Sequence, residues 1–419
     1  MRESIPLVNI KNIKRRTGDT EEESLLNDDK PKNVRYMERH KGQFKNSTGF
    51  LKKIFYGISF SILGIGSIFL ILVILRLFGI GGGNSDTNQV TIENYVDVLA
   101  KHSNDSNLNI KDGALLSPLL VERLVGTESH KNVQKFILNH FTNLHWDVEK
   151  DTFEANTPFG KKVFTNYIFT KNPKAERRIV LAAHYDSKYF QDQVFIGATD
   201  SAAPCAILMD IAENLNFALE NREKKILKEE GEEGIRKSTT LQMIFFDGEE
   251  AFVNWTEYDS IYGSKHLAEK WEKETINENT TTTKLQAIDV LVLLDLLGAK
   301  YPSFTNYYKS SESYFNCLAD VESLLHNQNL LSISSTNNQN YSYFTKSEAI
   351  VSTTKLFIDD DHKPFLRKNV PILHIIPFPF PNVWHQITDD ASALDEDTIK
   401  DLSKIFKLFI VKQFELNNY

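Results

Sequence analysis

Phe245-Phe246-Asp247-Gly248-Glu249-Glu250 closes an apolar run that begins at Leu241, and this stretch decides the fold. Leu241 to Phe246 has the length and the mostly apolar pattern of a strand buried on both faces, as in parallel sheets covered by helices. The Asp-Gly pair then makes a turn. It delivers two adjacent glutamates to the C-terminal tip of the strand. At an effective dielectric of about 20, two carboxylates about 4 Å apart repel by roughly 4 kcal/mol. Such a pair needs cations, protons or divergent directions. Hydrolytic zinc sites supply all three: one Glu binds the metal and its neighbour moves protons.

Working outward, further strand-like runs occur at Arg178–Ala183, Val290–Leu294 and Val370–Ile376. Helical periodicity separates them around Ala206–Leu219 and Tyr262–Trp271. Strands alternating with helices predict an α/β fold with a largely parallel sheet covered on both faces. The polar residues fall at the strand tips. His184 follows the first run, and Asp200 lies in the next loop. Glu249 and Glu250 follow the second run, Asp295 the third, and His385 comes late in the chain. In open α/β sheets the crevice outside the strand carboxyl ends binds ligands, so these residues are expected near one mouth. Imidazole with carboxylate favours zinc over magnesium or calcium. Taken singly, each Asp reads as a cap or turn residue and His184 as a core histidine. Recurrence at successive strand ends favours the site.

The chain has 419 residues, 41% of them hydrophobic and 25% charged, which is a globular composition. Net charge is −8, unevenly spread: residues 1–53 carry 13 Lys+Arg and 8 Asp+Glu, leaving the remainder at −13. An acidic body argues against nucleic acid as partner. Ile54 to Leu75 is apolar and uncharged for 22 residues, with Lys52 and Lys53 before it and only Arg76 after it. At about 1.5 Å per residue it matches a bilayer core of about 30 Å. The positive-inside rule then predicts a cytosolic tail over 1–53, a membrane helix over 54–76, a linker over 77–90 and a catalytic domain over 91–419 across the membrane. The tail is polar and aromatic-poor, and reads as disordered.

Cysteine is limited to Cys205 and Cys317, so one disulfide is possible and a thiolate zinc site is not. Glu220 to Lys237 is almost all charge and reads as a solvated helix end and loop. Ser332 to Lys355, rich in Ser, Thr and Asn, reads as a loop. Asn104, Asn254, Asn279 and Asn340 begin glycosylation sequons.

The order of these motifs resembles that of the zinc aminopeptidase clan with an α/β/α sandwich. More narrowly, the chain resembles the glutaminyl cyclase family. The phrases that carry the resemblance are HYDSKYF (184–190), GATDSAAPCA (197–206), FFDGEEAF (245–252), DSIYGSKHLA (259–268), VLLDLLGA (292–299) and the segment from Asp360 to His385. The resemblance implies a three-layer α/β/α sandwich with a mixed, mostly parallel sheet. It implies Asp200, Glu250 and His385 as ligands of one zinc ion per chain, and Glu249 as general acid/base. Asp295 and Asp360 would be a carboxylate pair sharing a proton. Trp255, Phe380 and Trp384 would wall the substrate pocket. The implied reaction converts the N-terminal glutamine of peptides and proteins to pyroglutamate with loss of ammonia. A membrane-anchored member resembles the Golgi-resident form, although other secretory membranes suit the anchor equally.

A two-zinc aminopeptidase has the same ligand types, with His184 and Asp295 completing a second site around bridging Asp200. Ligand counting does not separate the two; the surroundings of Asp295, Trp255 and Trp384 favour the cyclase. A catalytically dead binding protein would have lost one of Asp200, Glu249, Glu250 or His385, and none is lost. Three departures from the family stand out. Ala183 occupies the position of the second cysteine of a family disulfide to Cys205. Asp359 stands where glutamine is common. The segment 332–355 is long.

Overall fold

The computed structural model describes residues 104–335, 341–346 and 358–416. The expected tail, membrane helix 54–76 and linker lie outside the described residues. Among the described residues no helix is long and apolar enough to cross a membrane.

Six strands form one mixed sheet: β1 (Asp147–Thr157), β2 (Gly160–Thr170), β3 (Arg177–His184), β4 (Thr239–Phe246), β5 (Ile288–Leu294) and β6 (Ile372–Ile375). Their spatial order is β1-β2-β4-β3-β5-β6. β4, β3, β5 and β6 pair in parallel, while β1 and β2 form an antiparallel hairpin joined antiparallel to β4. The helices are α1 (Glu128–Asn143), α2 (Ala203–Lys237), α3 (Tyr262–Trp271), α4 (Glu312–Asn327), α5 (His362–Leu366) and α6 (Glu396–Gln413).

Alternation along each strand divides the core. Leu181, Met243, Val292 and Leu373 face one way, into a cluster shared with α1, α2, α4 and α6. Val180, Ile244, Leu291 and Ile372 face the other way, against Leu267 and Trp271 of α3 and Phe365 of α5. Helices therefore cover both faces, and the parallel strands are mostly apolar. Each such Leu or Val, fully buried, contributes about 1.5–3 kcal/mol of transfer free energy.

The β1–β2 hairpin is not among the strands expected from the sequence, and one expectation needs correction. β1 is DVEKDTFEANT and is largely open to solvent, so charges tolerated on a sheet edge mask its strand character. Glu220 to Lys237 does not form a loop. α2 continues to Lys237, interrupted only by a kink at Gly231 with φ 69°. Its charged residues occupy a helix that projects into solvent. The described part of the 332–355 segment is also better anchored than its polarity suggests. Tyr343 is fully buried, and Glu322 accepts the backbone N–H groups of Tyr343 and Phe344 at 2.6 and 2.8 Å. The rest of that segment lies outside the described residues.

Candidate active site

The site assembles at the C-terminal ends of β3 to β6. After β4 the chain turns at Gly248, where φ is 72° and an added Cβ would sit 2.4 Å from the Phe164 ring. Only glycine allows this turn. Asp186, two residues beyond β3, then accepts the backbone N–H of Glu249 and of Glu250, each at 3.1 Å. One carboxylate thus orients the whole Glu pair and sends the two side chains apart.

Glu250 turns toward Lys188, whose Nζ lies 3.1 Å from Oε2. Its other oxygen, Oε1, is buried without a hydrogen-bond partner and lies 3.5 Å from His385 Nε2. His385 Nε2 is 3.7 Å from Asp200 Oδ2. Donor atoms of Asp200, Glu250 and His385 all fall within 4.8 Å of one another. Tetrahedral zinc with bonds of about 2.0–2.2 Å separates neighbouring donors by about 3.3–3.6 Å. The spacing and the orphaned oxygen fit such an ion.

The electrostatics agree with crowded acid groups. Burial, then the charge of Glu250, pushes Asp200 up to about 7. Burial also lifts Glu249 well above the carboxylate range, reinforced by the charges of Glu250 and Asp360 and opposed by His184. For Glu250, burial is outweighed by His385 and Lys188, which hold it below the ordinary value. For His385, burial is outweighed by Glu250 and Asp200, and its pKa is raised.

A second cluster lies alongside. His184 Nε2 is 2.9 Å from Asp200 Oδ1 and 3.4 Å from Asp295 Oδ1. Ser201 donates its hydroxyl to Asp295. Despite burial, these partners depress Asp295, whereas burial and the charge of Asp295 raise Asp360. The two carboxyls are thus shifted in opposite directions. His374 Nε2, 2.7 Å from Asp360 Oδ2, fixes the second of them.

A cavity of about 620 Å³ opens over these groups, lined by Asp200, Glu249, Asp295, Asp360 and His385 at depth. Trp255, Phe380 and Trp384 form its walls. Phe380 and Trp384 meet edge to face with centroids 4.9 Å apart. Trp384 in turn stacks on His385 at 4.2 Å. Trp255 sits on a loop clamped by Asp259, which accepts the N–H groups of Phe252, Val253 and Asn254. Eight of the nine residues singled out in the sequence line this cavity; Glu250 alone stands behind the wall, reaching His385.

The Peptidase family M28 profile matches residues 166–410. The glutaminyl-peptide cyclotransferase of Dictyostelium discoideum is 39% identical over 348 residues, covering 77% of this chain and 89% of the relative. The Drosophila melanogaster glutaminyl-peptide cyclotransferase is 43% identical over 301 residues, covering 71% and 78%. The chain belongs to the glutaminyl-peptide cyclotransferase family. Its fold matches the crystal structure of Macrostomum lignano glutaminyl cyclase with a TM-score of 0.64 and 36% identity, over 76% of this chain and 91% of the other.

Against that family, both cysteines here are free and buried. Cys205 Sγ lies 3.1 Å from the His184 carbonyl, a contact made inside the core. Asp359 lines the cavity wall and pairs with Lys363 one helical turn on. Sequence reasoning did not single out Lys188, Ser201 or His374 for roles. All three sit inside the recognised phrases, but only the fold shows which carboxylate each meets.

Proposed function

We propose that this chain is a zinc-dependent glutaminyl-peptide cyclotransferase acting on N-terminal glutamine of peptides and proteins. The observation that carries the reading is a single cavity in which the open Asp200–Glu250–His385 donor set adjoins a proton-hungry Glu249 and three aromatic walls. Asp200, Glu250 and His385 would hold the ion. When bound, zinc polarises the γ-carbonyl of the substrate glutamine and supplies positive charge to its oxygen.

The remaining chemistry falls to the chain. Glu249 takes a proton from the substrate's α-amine as the amine nitrogen bonds to the side-chain carboxamide carbonyl carbon, Cδ. Glu249 then returns a proton to the amide nitrogen as its bond to Cδ breaks and ammonia leaves. Asp295 and Asp360 hold the departing amide. Trp255, Phe380 and Trp384 fold the glutamine side chain back on its own amine and exclude water, and intramolecular approach accounts for much of the rate gain.

One ion per chain is the favoured count. A second would need His184 and Asp295, but His184 is hydrogen-bonded to Asp200 and Asp295 already accepts Ser201. The two-zinc aminopeptidase remains the rival because His184, Asp200 and Asp295 are within ligating reach of one another. Purified protein assayed on Gln-AMC and Leu-AMC, with product masses and zinc stoichiometry, decides. Loss of ammonia from Gln-AMC with about one zinc per chain supports the cyclase. Release from Leu-AMC without pyroglutamate overturns it.

The proposal extends to topology. Residues 54–76 anchor the chain as a single-pass type II protein of the Golgi or another secretory membrane, with 1–53 cytosolic and the catalytic domain lumenal. The support is the uncharged 22-residue run and the lysines before it. The sequons at Asn104 and Asn279 are exposed, and in a lumenal domain they would be open to glycosylation. Protease protection of the catalytic domain in intact vesicles tests this, and digestion without detergent rejects it.

A further inference from the structure

Arg123 lies in none of the recognised phrases, yet it is fully buried below the floor of the site. Its Nε donates to the Tyr185 carbonyl at 2.9 Å. Nη1 donates to Leu119, Val121 and Ile196 at 2.9, 3.1 and 2.6 Å. Nη2 donates to Gly197 at 3.0 Å and to Asp200 at 3.3 Å. Its own backbone N–H donates to Ser187 Oγ at 2.9 Å. Every acceptor of the guanidinium is a main-chain carbonyl. Burying such a cation costs several kcal/mol unless its donors are met, and here all are spent on backbone.

Those carbonyls are not scattered. Tyr185 follows His184 at the tip of β3, and Ile196, Gly197 and Asp200 belong to the loop that carries the metal-facing carboxylate. That loop is tight: Gly197 has φ 60°, and an added Cβ there would lie 2.1 Å from the Asp200 carbonyl oxygen. Its other side is held by Asp389, whose carbonyl accepts Ala198 N–H at 3.0 Å and whose Oδ1 accepts Thr199 N–H at 2.9 Å. Asp389 lies four residues beyond His385. The loop is therefore gripped from below by Arg123 and from above by the segment that supplies the histidine.

We propose that Arg123 is the positioning residue for Asp200, fixing the Ile196–Asp200 backbone before metal arrives and thereby setting zinc affinity. This rests on the reading of Asp200 as a zinc ligand. A ligand already in place loses little freedom on binding, so affinity is gained by preorganisation. Lysine cannot substitute: its ammonium offers three donors from one point, whereas the guanidinium presents five in a planar fork.

The test uses the purified full chain. Zinc affinity is measured by chelator competition for wild type and Arg123→Lys, and melting temperature is measured on the zinc-free proteins. The expected result is a loss of zinc affinity of about 10–100-fold. A variant that melts lower yet binds zinc as tightly as wild type overturns the inference, because its arginine would then be merely structural. Should Arg123→Lys not fold, hydrogen exchange on wild type decides. Amides of Ala198, Thr199 and Ala202 are expected to stay protected after zinc is stripped. Protection that collapses on stripping overturns the inference, since the metal would then order the loop. Wild type that binds no zinc overturns the ligand reading, and this inference with it.

Discussion

Lys188 Nζ lies 3.1 Å from Glu250 Oε2, so the two oxygens of one carboxylate face different partners. The lysine occupies one lone-pair direction and leaves Oε1 aimed at His385. Lys188→Met keeps the stem and removes the charge. The expected outcome is zinc binding weakened by about 10–100-fold. Isothermal titration with zinc, or competition against a chelator, provides the measurement; unchanged affinity would show that Glu250 orients itself.

Glu249 is outside the donor triad but inside the cavity. Glu249→Gln should therefore retain zinc while kcat falls by about 10²–10⁴-fold. Metal analysis and single-turnover kinetics on the same preparation separate the two roles. Loss of zinc in this variant would contradict the division of labour between the neighbouring glutamates.

His130 Nε2 meets Asp247 Oδ1 at 2.9 Å beneath the Asp-Gly turn, with both side chains buried. Burial lowers the imidazole pKa, but the charge and hydrogen bond of Asp247 outweigh it, and the net shift is upward. A folded-state pKa above the unfolded value means stability fully present below about pH 6.5 and lost as pH rises through the folded value. His130→Gln should cost about 1.5–3 kcal/mol in mildly acidic solution, and the deficit should shrink as pH rises. Urea melts across a pH series read this directly. A deficit independent of pH would mean that His130 acts through packing alone.

Asp259 gathers three backbone N–H groups, and its Oδ1 also accepts the Tyr262 hydroxyl at 2.8 Å. Those bonds shape the loop that presents Trp255, which is 38% exposed. Asp259→Ala is expected to raise KM for glutaminyl peptides severalfold with a smaller change in kcat. An equal fall in kcat at constant KM would place the effect on chemistry instead.

Cys205 and Cys317 are free, and burial pushes the Cys205 thiol up to about 12. Thiolate is the reactive form. Reductant should leave the melting temperature unchanged, and a maleimide should label Cys205 only after unfolding. Labelling of the native protein at Cys205 would contradict the packing around it.

What could be read from the sequence follows from burial. β3 to β6 are sealed on both faces, so their residues are mostly apolar and stand out in the text despite Gln242 and His374. β1 borders solvent, and its aspartates, glutamates and Lys150 conceal it. The charged half of α2 looked like a loop because composition reports exposure, not backbone geometry. The site shows the same division. Glu249, Glu250 and Asp295 stood out because each follows an apolar run, whereas Asp200 in its loop and His385 late in the chain took their roles from the family resemblance. Lys188, Ser201 and His374 act through partners that are distant in sequence, such as Ser201 on Asp295. Only the strand order brings those pairs together. Arg123 is the extreme case. Its acceptors are carbonyls, which every residue carries, so no side-chain pattern could reveal it.

Trp384 and His385 are consecutive and ring-stacked at 4.2 Å. An aromatic wall of the cavity and one member of the donor triad thus share a peptide bond and a π-surface. A bulky inhibitor that tilts the indole must also tilt the imidazole. Inhibitor shape and metal retention are then one variable, and compounds that swell the pocket should speed the escape of the ion without ever touching it.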